Sequence, residues 1–270
     1  MPILKSQSIV LRRFDFRETS LIVRFLTREF GKISGILKGI RKDPRKFAST
    51  VELFSHNEIV FYKSRNSSLH LVSQCDAGES FLSLKNNLGR IGVASFMMEL
   101  VDAVMPDEDK NIEVYNLVLT ALRELNNSAN HDKIMTIFKI KLLTLSGFRP
   151  HLDSCIVCNN ESLGLTKFSL QLGGMLCQRC VDRDRTSRNI FRGTVATILY
   201  IEKNDFKNNL NLGFSMEIKR ELDMILNSFI RFHLEKELNS LKVLRKIEFM
   251  PLKTAGVPVV SLVGGVKGGV

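Results

Sequence analysis

The chain contains two Cys-x-x-Cys motifs, CIVC at residues 155–158 and CQRC at residues 177–180, with eighteen residues between them. Each such turn presents two sulfur atoms to one point, and a spacer of this length lets two turns meet around one tetrahedral ion. Zinc is the metal that this geometry favours. Four protein thiolates leave no position for water or substrate, so the site is expected to shape the fold. We therefore predict one structural zinc ion per chain, bound by Cys155, Cys158, Cys177 and Cys180.

Two disulfides or a redox-active pair are the competing interpretations of these cysteines. No apolar signal peptide opens the chain, so a reducing cytoplasm is the expected compartment and disulfides are disfavoured there. A thioredoxin-type pair does not account for a second pair at zinc-ribbon distance. The fifth cysteine, Cys75, lies in an apolar alternation and is predicted to be a core residue.

The second strong signal is positive charge. The 270 residues contain 39 Lys and Arg against 28 Asp and Glu, a formal net charge of +11. Such a surplus implies an acidic partner, and nucleic acid, anionic lipid and an acidic protein tail all remain open on charge alone. Basic residues are concentrated between residues 24 and 46. They are Arg24, Arg28, Lys32, Lys38, Arg41, Lys42, Arg45 and Lys46.

This basic run lies within a pattern of short strands. Alternating apolar segments occupy residues 3–14, 19–27, 31–40, 51–63 and 69–75, with turn signals between them. Five strands in under eighty residues predict a five-stranded barrel of the OB type in residues 1–80. Such barrels bind nucleic-acid strands across strands 2 and 3 and the adjoining loops, where the basic run falls. The alternative is a solvated strand face and loop.

The aromatic residues beside the basic run are mostly expected in the core. Phe25 shares a strand face with Leu21 and Val23 and is predicted to be buried. Phe16 and Phe47 lie in loop-like surroundings next to Arg17 and Lys46, so they are the candidates for base stacking.

After residue 80 the apolar spacing becomes helical, which makes the whole chain an α+β protein. Helical patterns cover residues 80–105, 111–126 and 132–147, and they resume near Thr194 and again from about Ser215. Gly147 followed by Pro150 predicts the end of the third pattern. A strand pair is expected between the cysteine motifs, so a zinc module at 150–185 interrupts a helical domain at 81–246.

Several other residues of the helical domain are predicted to have structural roles. Met97, Met98 and Met105 are expected to fill the core, and His151 and His233 to lie outside the metal site. The Gly- and Val-rich residues 247–270 are expected to form a flexible tail, with an added strand or a segment that occludes a partner site as the alternatives. They are too short and too interrupted to span a bilayer, and no membrane association is predicted.

Three stretches of the chain resemble the bacterial DNA repair and recombination mediator family RecO. They are LTREFGKISGILKGIRK at 26–42, LSGFRPHLDSCIVC at 145–158 with FSLQLGGMLCQRC at 168–180, and FIRFHLEKELNSLKVL at 229–244. The middle pair is the most specific, because glycines, a proline, aromatic residues and cysteines all fall in the family's order. The resemblance in overall order covers residues 1 to about 246.

The resemblance implies a protein that is not an enzyme. Members bind single- and double-stranded DNA, anneal complementary strands, and work with RecR to load the RecA recombinase onto DNA covered by single-strand-binding protein. It also implies a cytoplasmic, nucleoid-associated location, and docking of that protein's acidic tail on the helical domain. Lys139, Lys141 and Arg149 are candidates for the docking by charge, although a solvated helix face is expected there. The predicted DNA-binding residues are Arg24, Lys32, Lys38, Arg41, Lys42, Arg45 and Lys46.

Two further functions share some of these sequence features. An OB-type RNA-binding or transcription accessory factor with a zinc ribbon has the same features in another setting. A metal-dependent nuclease or deaminase is disfavoured, because catalytic zinc needs an open position and no His-x-Glu or paired-carboxylate motif accompanies the cysteines.

Overall fold

The structure is a computed structural model, and it describes residues 2–40, 42, 51–161, 167–234 and 237–248. Its N-terminal part is a closed five-stranded barrel, as predicted. The strands are β1 (Ile3–Phe16), β2 (Ser20–Thr27), β3 (Gly31–Leu37), β4 (His56–Tyr62) and β5 (Leu69–Ala77). They follow the order β1-β2-β3-β5-β4, in which β1 pairs with β4 and the β3–β5 pair is parallel. This confirms the OB-type barrel.

The barrel interior is filled by alternate residues of the strands. Phe25 and Cys75 are both fully buried there, as the alternation predicts. A side chain at Gly35 is excluded where β3 meets β5, because a Cβ atom would lie 2.5 Å from Cγ2 of Val72. The predicted strand at 51–63 is shorter than expected. Phe54 takes a positive φ of 70° in a turn and packs into the helical core, so β4 begins only at His56.

The C-terminal part is helical, and its helices begin and end at local signals. They are α1 (Leu82–Lys85), α2 (Leu88–Val104), α3 (Ile112–Asn127), α4 (His131–Leu145), α5 (Arg192–Lys203), α6 (Phe206–Leu210), α7 (Met216–Leu234) and α8 (Asn239–Glu248). The pattern predicted as one helix at 80–105 is divided, because the Asn87 side chain accepts from the Arg90 N–H and caps a new helix. Among the described helices, none is long and apolar enough to cross a membrane.

The α4 helix ends as its sequence predicts. Gly147 takes a positive φ of 81°, and the Phe148 N–H donates to the Leu143 carbonyl at 2.9 Å. The helical core above it includes Met97, Met98 and Met105, which are all buried. This confirms that the methionines are core residues.

The cysteine motifs lie on a small sheet after α4. Its strands are β6 (Lys167–Ser169), β7 (Gly174–Leu176) and β8 (Arg188–Asn189), in the order β7-β6-β8. The β6–β7 hairpin is the predicted strand pair, whereas β8 was not predicted and lies beyond residue 185. We call residues 150–191 the cysteine module.

Candidate metal centre and nucleic-acid interface

The four predicted metal ligands converge on one point. The Sγ atoms of Cys155, Cys158, Cys177 and Cys180 all lie within 4.8 Å of one another. The Cys158 and Cys177 sulfurs are 3.7 Å apart. Metal–sulfur bonds of about 2.3 Å in a tetrahedron place neighbouring sulfurs about 3.8 Å apart, so this donor set fits a four-coordinate metal ion.

Backbone hydrogen bonds shape the two turns that carry these sulfurs. The Asn159 N–H donates to the Cys155 carbonyl at 2.8 Å, and the Cys180 N–H donates to the Cys177 carbonyl at 2.9 Å. The first turn is tied to β7 through the Ile156 N–H and the Met175 carbonyl, 2.9 Å apart. Cys155 and Cys177 are buried while Cys158 is exposed. The cluster therefore lies at the surface edge of the module.

The thiols differ strongly in acidity. Burial opposes ionisation of Cys155, but backbone N–H groups of Cys177, Cys158 and Val157 point at its sulfur and bring its pKa down to about 6. Burial and the neighbouring sulfurs raise the pKa of Cys180 to about 12. Four thiols held together therefore resist full ionisation, since each new negative charge lies beside another. A divalent cation removes that conflict, so the arrangement is one that a metal ion stabilises.

Neither histidine that was predicted to lie outside the metal site belongs to the cluster. The His151 Nε2 atom forms a hydrogen bond with the Ser154 hydroxyl at 2.7 Å. The His233 ring packs on Phe229, with 4.1 Å between ring centroids.

The basic residues of the barrel divide into two groups. Lys38 and Lys42 are exposed in and just after the turn that follows β3. Arg24 and Lys32 are instead turned toward the helical domain. Three of the predicted basic residues and one stacking candidate lie outside the described residues, namely Arg41, Arg45, Lys46 and Phe47.

Lys32 is only 4% exposed, and acidic groups surround its ammonium group. Its Nζ atom donates to the Asp102 carbonyl at 2.6 Å and lies 3.4 Å and 3.3 Å from the carboxylates of Asp102 and Asp107. The Arg24 Nε atom lies 3.0 Å from Asp102 Oδ1, and the same guanidinium contacts Asp107. These two cations join the barrel to α2, so neither is available to a phosphate in this structure.

The same network reaches the last helix through Glu99 and Arg12. Arg12 lies 3.4 Å from Glu99 and 3.1 Å from Asp102. The Glu99 carboxylate accepts from the backbone N–H groups of Asn239 and Ser240 at the start of α8, at 3.2 Å and 2.8 Å. Burial would raise the pKa of Glu99, but these hydrogen bonds and the Arg12 charge bring it below its usual value. We call the ion pairs of Arg12, Arg24 and Lys32 with Glu99, Asp102 and Asp107 the barrel clamp.

Phe16, the other stacking candidate, is half-buried at the end of β1. The Arg17 guanidinium lies over its ring, 5.2 Å from the centroid. One face of this ring is therefore already covered by a cation.

The solvated helix face expected for the three candidate docking cations is wrong for Lys139, whereas Lys141 is partly buried and Arg149 is exposed. Lys139 is fully buried, with its Nζ 3.5 Å from Asp223 and 5.2 Å from the Phe96 centroid. The Lys141 Nζ donates to the Glu202 carbonyl at 2.9 Å. Arg149 pairs with the carboxylates of Asp153 and Glu202, at 2.7 Å and 2.9 Å.

Comparisons with known proteins cover nearly the whole chain. Residues 1–81 match the family model described as Recombination protein O N terminal, and residues 85–242 match Recombination protein O C terminal. The chain is 32% identical over 244 residues to the DNA repair protein RecO of Symbiobacterium thermophilum, which covers 89% of this chain and 96% of that one. It is 30% identical over 247 residues to the protein of the same name from Alkaliphilus metalliredigens, covering 91% and 100%.

Proposed function

This chain belongs to the RecO family of DNA repair proteins, and from that premise we propose that it is a DNA-binding recombination mediator without enzymatic activity. It binds single- and double-stranded DNA, anneals complementary single strands and, with RecR, helps to load RecA onto DNA coated by single-strand-binding protein. The observation that carries the proposal is an OB-type barrel with exposed lysines beside β3, in a chain that matches the family over nearly its whole length.

Within this proposal the units of the chain have separate tasks. Residues 1–80 bind nucleic acid, and residues 81–246 take up the acidic tail of single-strand-binding protein. Of the tail predicted at 247–270, residues 247 and 248 belong to α8, and residues 249–270 lie outside the described residues. The protein acts on the DNA of the nucleoid, in the cytoplasm. The acidic tail docks on the helical domain without Lys139, Lys141 or Arg149, because each of these already contacts a group of its own domain.

We propose zinc as the resident ion of the cysteine cluster. Four thiolates at tetrahedral spacing are a donor set that zinc prefers, and they leave no coordination position for a substrate. Zinc would hold the two Cys-x-x-Cys turns together and would supply no reaction step.

The proposed DNA contacts of the barrel are made by lysines and arginines that follow β3. Lys38 and Lys42 are exposed, and Arg41, Arg45 and Lys46 are their neighbours in sequence. Phe16 and Phe47 remain the proposed stacking residues. Arg24 and Lys32 are left out of this surface, because the barrel clamp holds them against acidic groups.

An annealing assay tests the proposal. The wild-type chain should accelerate annealing of complementary DNA strands, and the triple variant Lys38→Glu, Arg41→Glu, Lys42→Glu should lose both annealing and single-strand binding. Its logarithmic salt slope should be flatter by about 2, since each phosphate contact contributes about 0.7. Its melting temperature should stay near wild type, because Lys38 and Lys42 are exposed.

The same assay separates the alternative function. A chain that anneals RNA strands but not DNA strands would be an RNA-binding accessory factor. A triple variant that binds and anneals DNA normally would show that the DNA path lies elsewhere.

A further inference from the structure

We propose that the cysteine module provides a second contact for single-stranded DNA, formed by four arginines and one exposed aromatic ring. This inference rests on the proposed function and adds a surface to it. We call this surface the arginine surface, and its members are Arg179, Arg183, Arg185, Arg188 and Phe191.

The stretch that carries these arginines has an excess of positive charge. Residues 179–192 include five arginines and only two acidic residues, Asp182 and Asp184. Asp184 is just 4% exposed, and its carboxylate accepts from the Ser169 hydroxyl at 2.6 Å and from the Thr186 N–H at 2.8 Å. One of the two carboxylates, that of Asp184, is therefore hydrogen-bonded inside the module.

The four arginines of the surface are all exposed. Within the described part of the chain, none of them lies within 4.0 Å of a carboxylate, whereas Arg149, just before the module, pairs with two. A planar guanidinium suits phosphate oxygens, which it contacts through two parallel hydrogen bonds. Unpaired arginines on one short stretch therefore fit a polyanion.

The backbone that carries these arginines is held in place at several points. The Arg183 N–H donates to the carbonyl of the metal ligand Cys180 at 3.0 Å, and the Ser187 N–H donates to the Asp184 carbonyl at 3.1 Å. Arg188 lies on β8, opposite Phe168 of β6. A surface that is already ordered loses little conformational entropy when it binds, which favours its use as a binding site.

Phe191 gives the surface an aromatic ring. The residue is 60% exposed, and its N–H donates to the Glu221 carboxylate on α7 at 3.0 Å. The Arg188 guanidinium contacts the Met224 sulfur, one turn further along α7, at 3.8 Å. The Phe191 backbone and the Arg188 guanidinium therefore contact adjacent turns of one helix. Cations beside an exposed ring form the arrangement on which single-stranded bases stack.

The competing explanation is that the arginines only offset the charge of the metal cluster. Four thiolates and one divalent cation retain two negative charges, and nearby cations would stabilise them. That role predicts an effect on metal retention and melting, not on DNA affinity. The two explanations are therefore separable.

The experiment measures binding of the full, metal-loaded chain to a fluorescent deoxythymidine strand of about 30 nucleotides, which spans more than one OB site. The variant Arg183→Glu, Arg185→Glu, Arg188→Glu is compared with the control Lys110→Glu, Lys203→Glu, Lys207→Glu. The control makes the same change of net charge at exposed lysines outside the module. The arginine variant should bind about tenfold more weakly than the control, with a salt slope flatter by about 2.

Two further variants complete the test. Phe191→Ala should weaken binding about fivefold or more without changing the salt slope, since stacking releases no counterions. If charge reversal prevents folding, the variant Arg183→Gln, Arg185→Gln, Arg188→Gln takes the place of the glutamate variant. It should also bind DNA more weakly and with a flatter salt slope.

Several outcomes would overturn the inference. The inference fails if the arginine variant has the same DNA affinity and salt slope as the control. It also fails if the arginine variant loses metal or melts at a lower temperature while its DNA affinity is unchanged, because that result assigns the arginines to the cysteine cluster. Tighter binding of a uridine strand of equal length would contradict the DNA assignment. If the wild-type chain does not bind DNA, the proposed function itself is wrong. If the wild-type chain binds DNA and the arginine variant behaves like the control, only the arginine surface is wrong.

Discussion

The barrel and the cysteine module both pack apolar side chains into the helical core, and the barrel adds a network of ion pairs to this contact. The module packs through apolar side chains: Leu152, Phe168 and Met175 are buried in the helical core. The barrel also packs Ile9, Leu11, Leu26 and Phe54 into that core, and the barrel clamp adds ion pairs to this contact. Ion pairs weaken when salt screens them or when acid protonates their carboxylates. Salt and acid should therefore weaken the attachment of the barrel more than that of the module.

The two regions also differ in what holds them together internally. The barrel has its own core of a dozen buried residues, including Val10, Phe25 and Val72. Among the described residues of the module, its separate cluster has Cys155, Leu176 and Cys177 as buried members, and its strands are two or three residues long. A core this small contributes little, so the module should depend on its metal ion.

The largest effect is expected from Cys177→Ser. Losing one thiolate should release the metal and lower the free energy of unfolding by at least about 4 kcal/mol, because metal binding is coupled to folding of the module. Elemental analysis and thermal melting check this. Cys75→Ala is the matched control, since Cys75 lies in the barrel core and that variant should retain its metal. A metal-free variant that melts like wild type would contradict the prediction.

An intermediate effect is expected from Asp102→Asn. Its carboxylate contacts Arg12, Arg24 and Lys32, and Lys32 is buried, so removal leaves a buried ammonium with one exposed acidic partner. We expect a loss of about 2 to 3 kcal/mol in the free energy of unfolding.

Asp107→Asn is the control for this clamp residue. Asp107 contacts the same Arg24 and Lys32, but its side chain is 56% exposed, so its loss should cost less than about 1 kcal/mol. Urea unfolding of both variants measures the difference. Equal losses would show that burial does not decide the strength of these pairs.

The smallest effect is the pH dependence carried by Glu99. Its pKa in the folded chain lies below its ordinary value of 4.5, so its contribution is complete above about pH 4.5 and is lost as pH falls through the folded pKa. Glu99→Gln should cost about 1 kcal/mol at neutral pH and flatten the decline of melting temperature in acid. A variant with the same acid profile as wild type would contradict the role of Glu99 in the clamp.

Some features of the molecule followed from the sequence because their physics is local. The alternation of residues 1–80 predicted five strands, and all five are present. The Gly147 signal predicted the end of α4, which the positive φ of that residue confirms. The strand β8 escaped prediction because it is only two residues long and is paired at a distance, with β6.

The basic run of the barrel contains residues whose environments the sequence pattern did not predict. Arg24, Lys32 and Lys38 look alike in the sequence, yet the first two pair with acidic groups of α2 and its following loop, while Lys38 is exposed. Lys139 gave the same difficulty, because a lysine on a helix was expected in solvent and is fully buried beside Asp223. The sequence around these residues does not predict their acidic partners.

The sequence by itself determined the barrel, the helical domain and the grouping of the four cysteines, because alternation, helical spacing and Cys-x-x-Cys turns act over a few residues. Only the tertiary structure decided which cations are available to a partner. The ammonium group of Lys32 pairs with Asp102, seventy residues away, and a cation's availability is set by which acidic group the fold brings beside it.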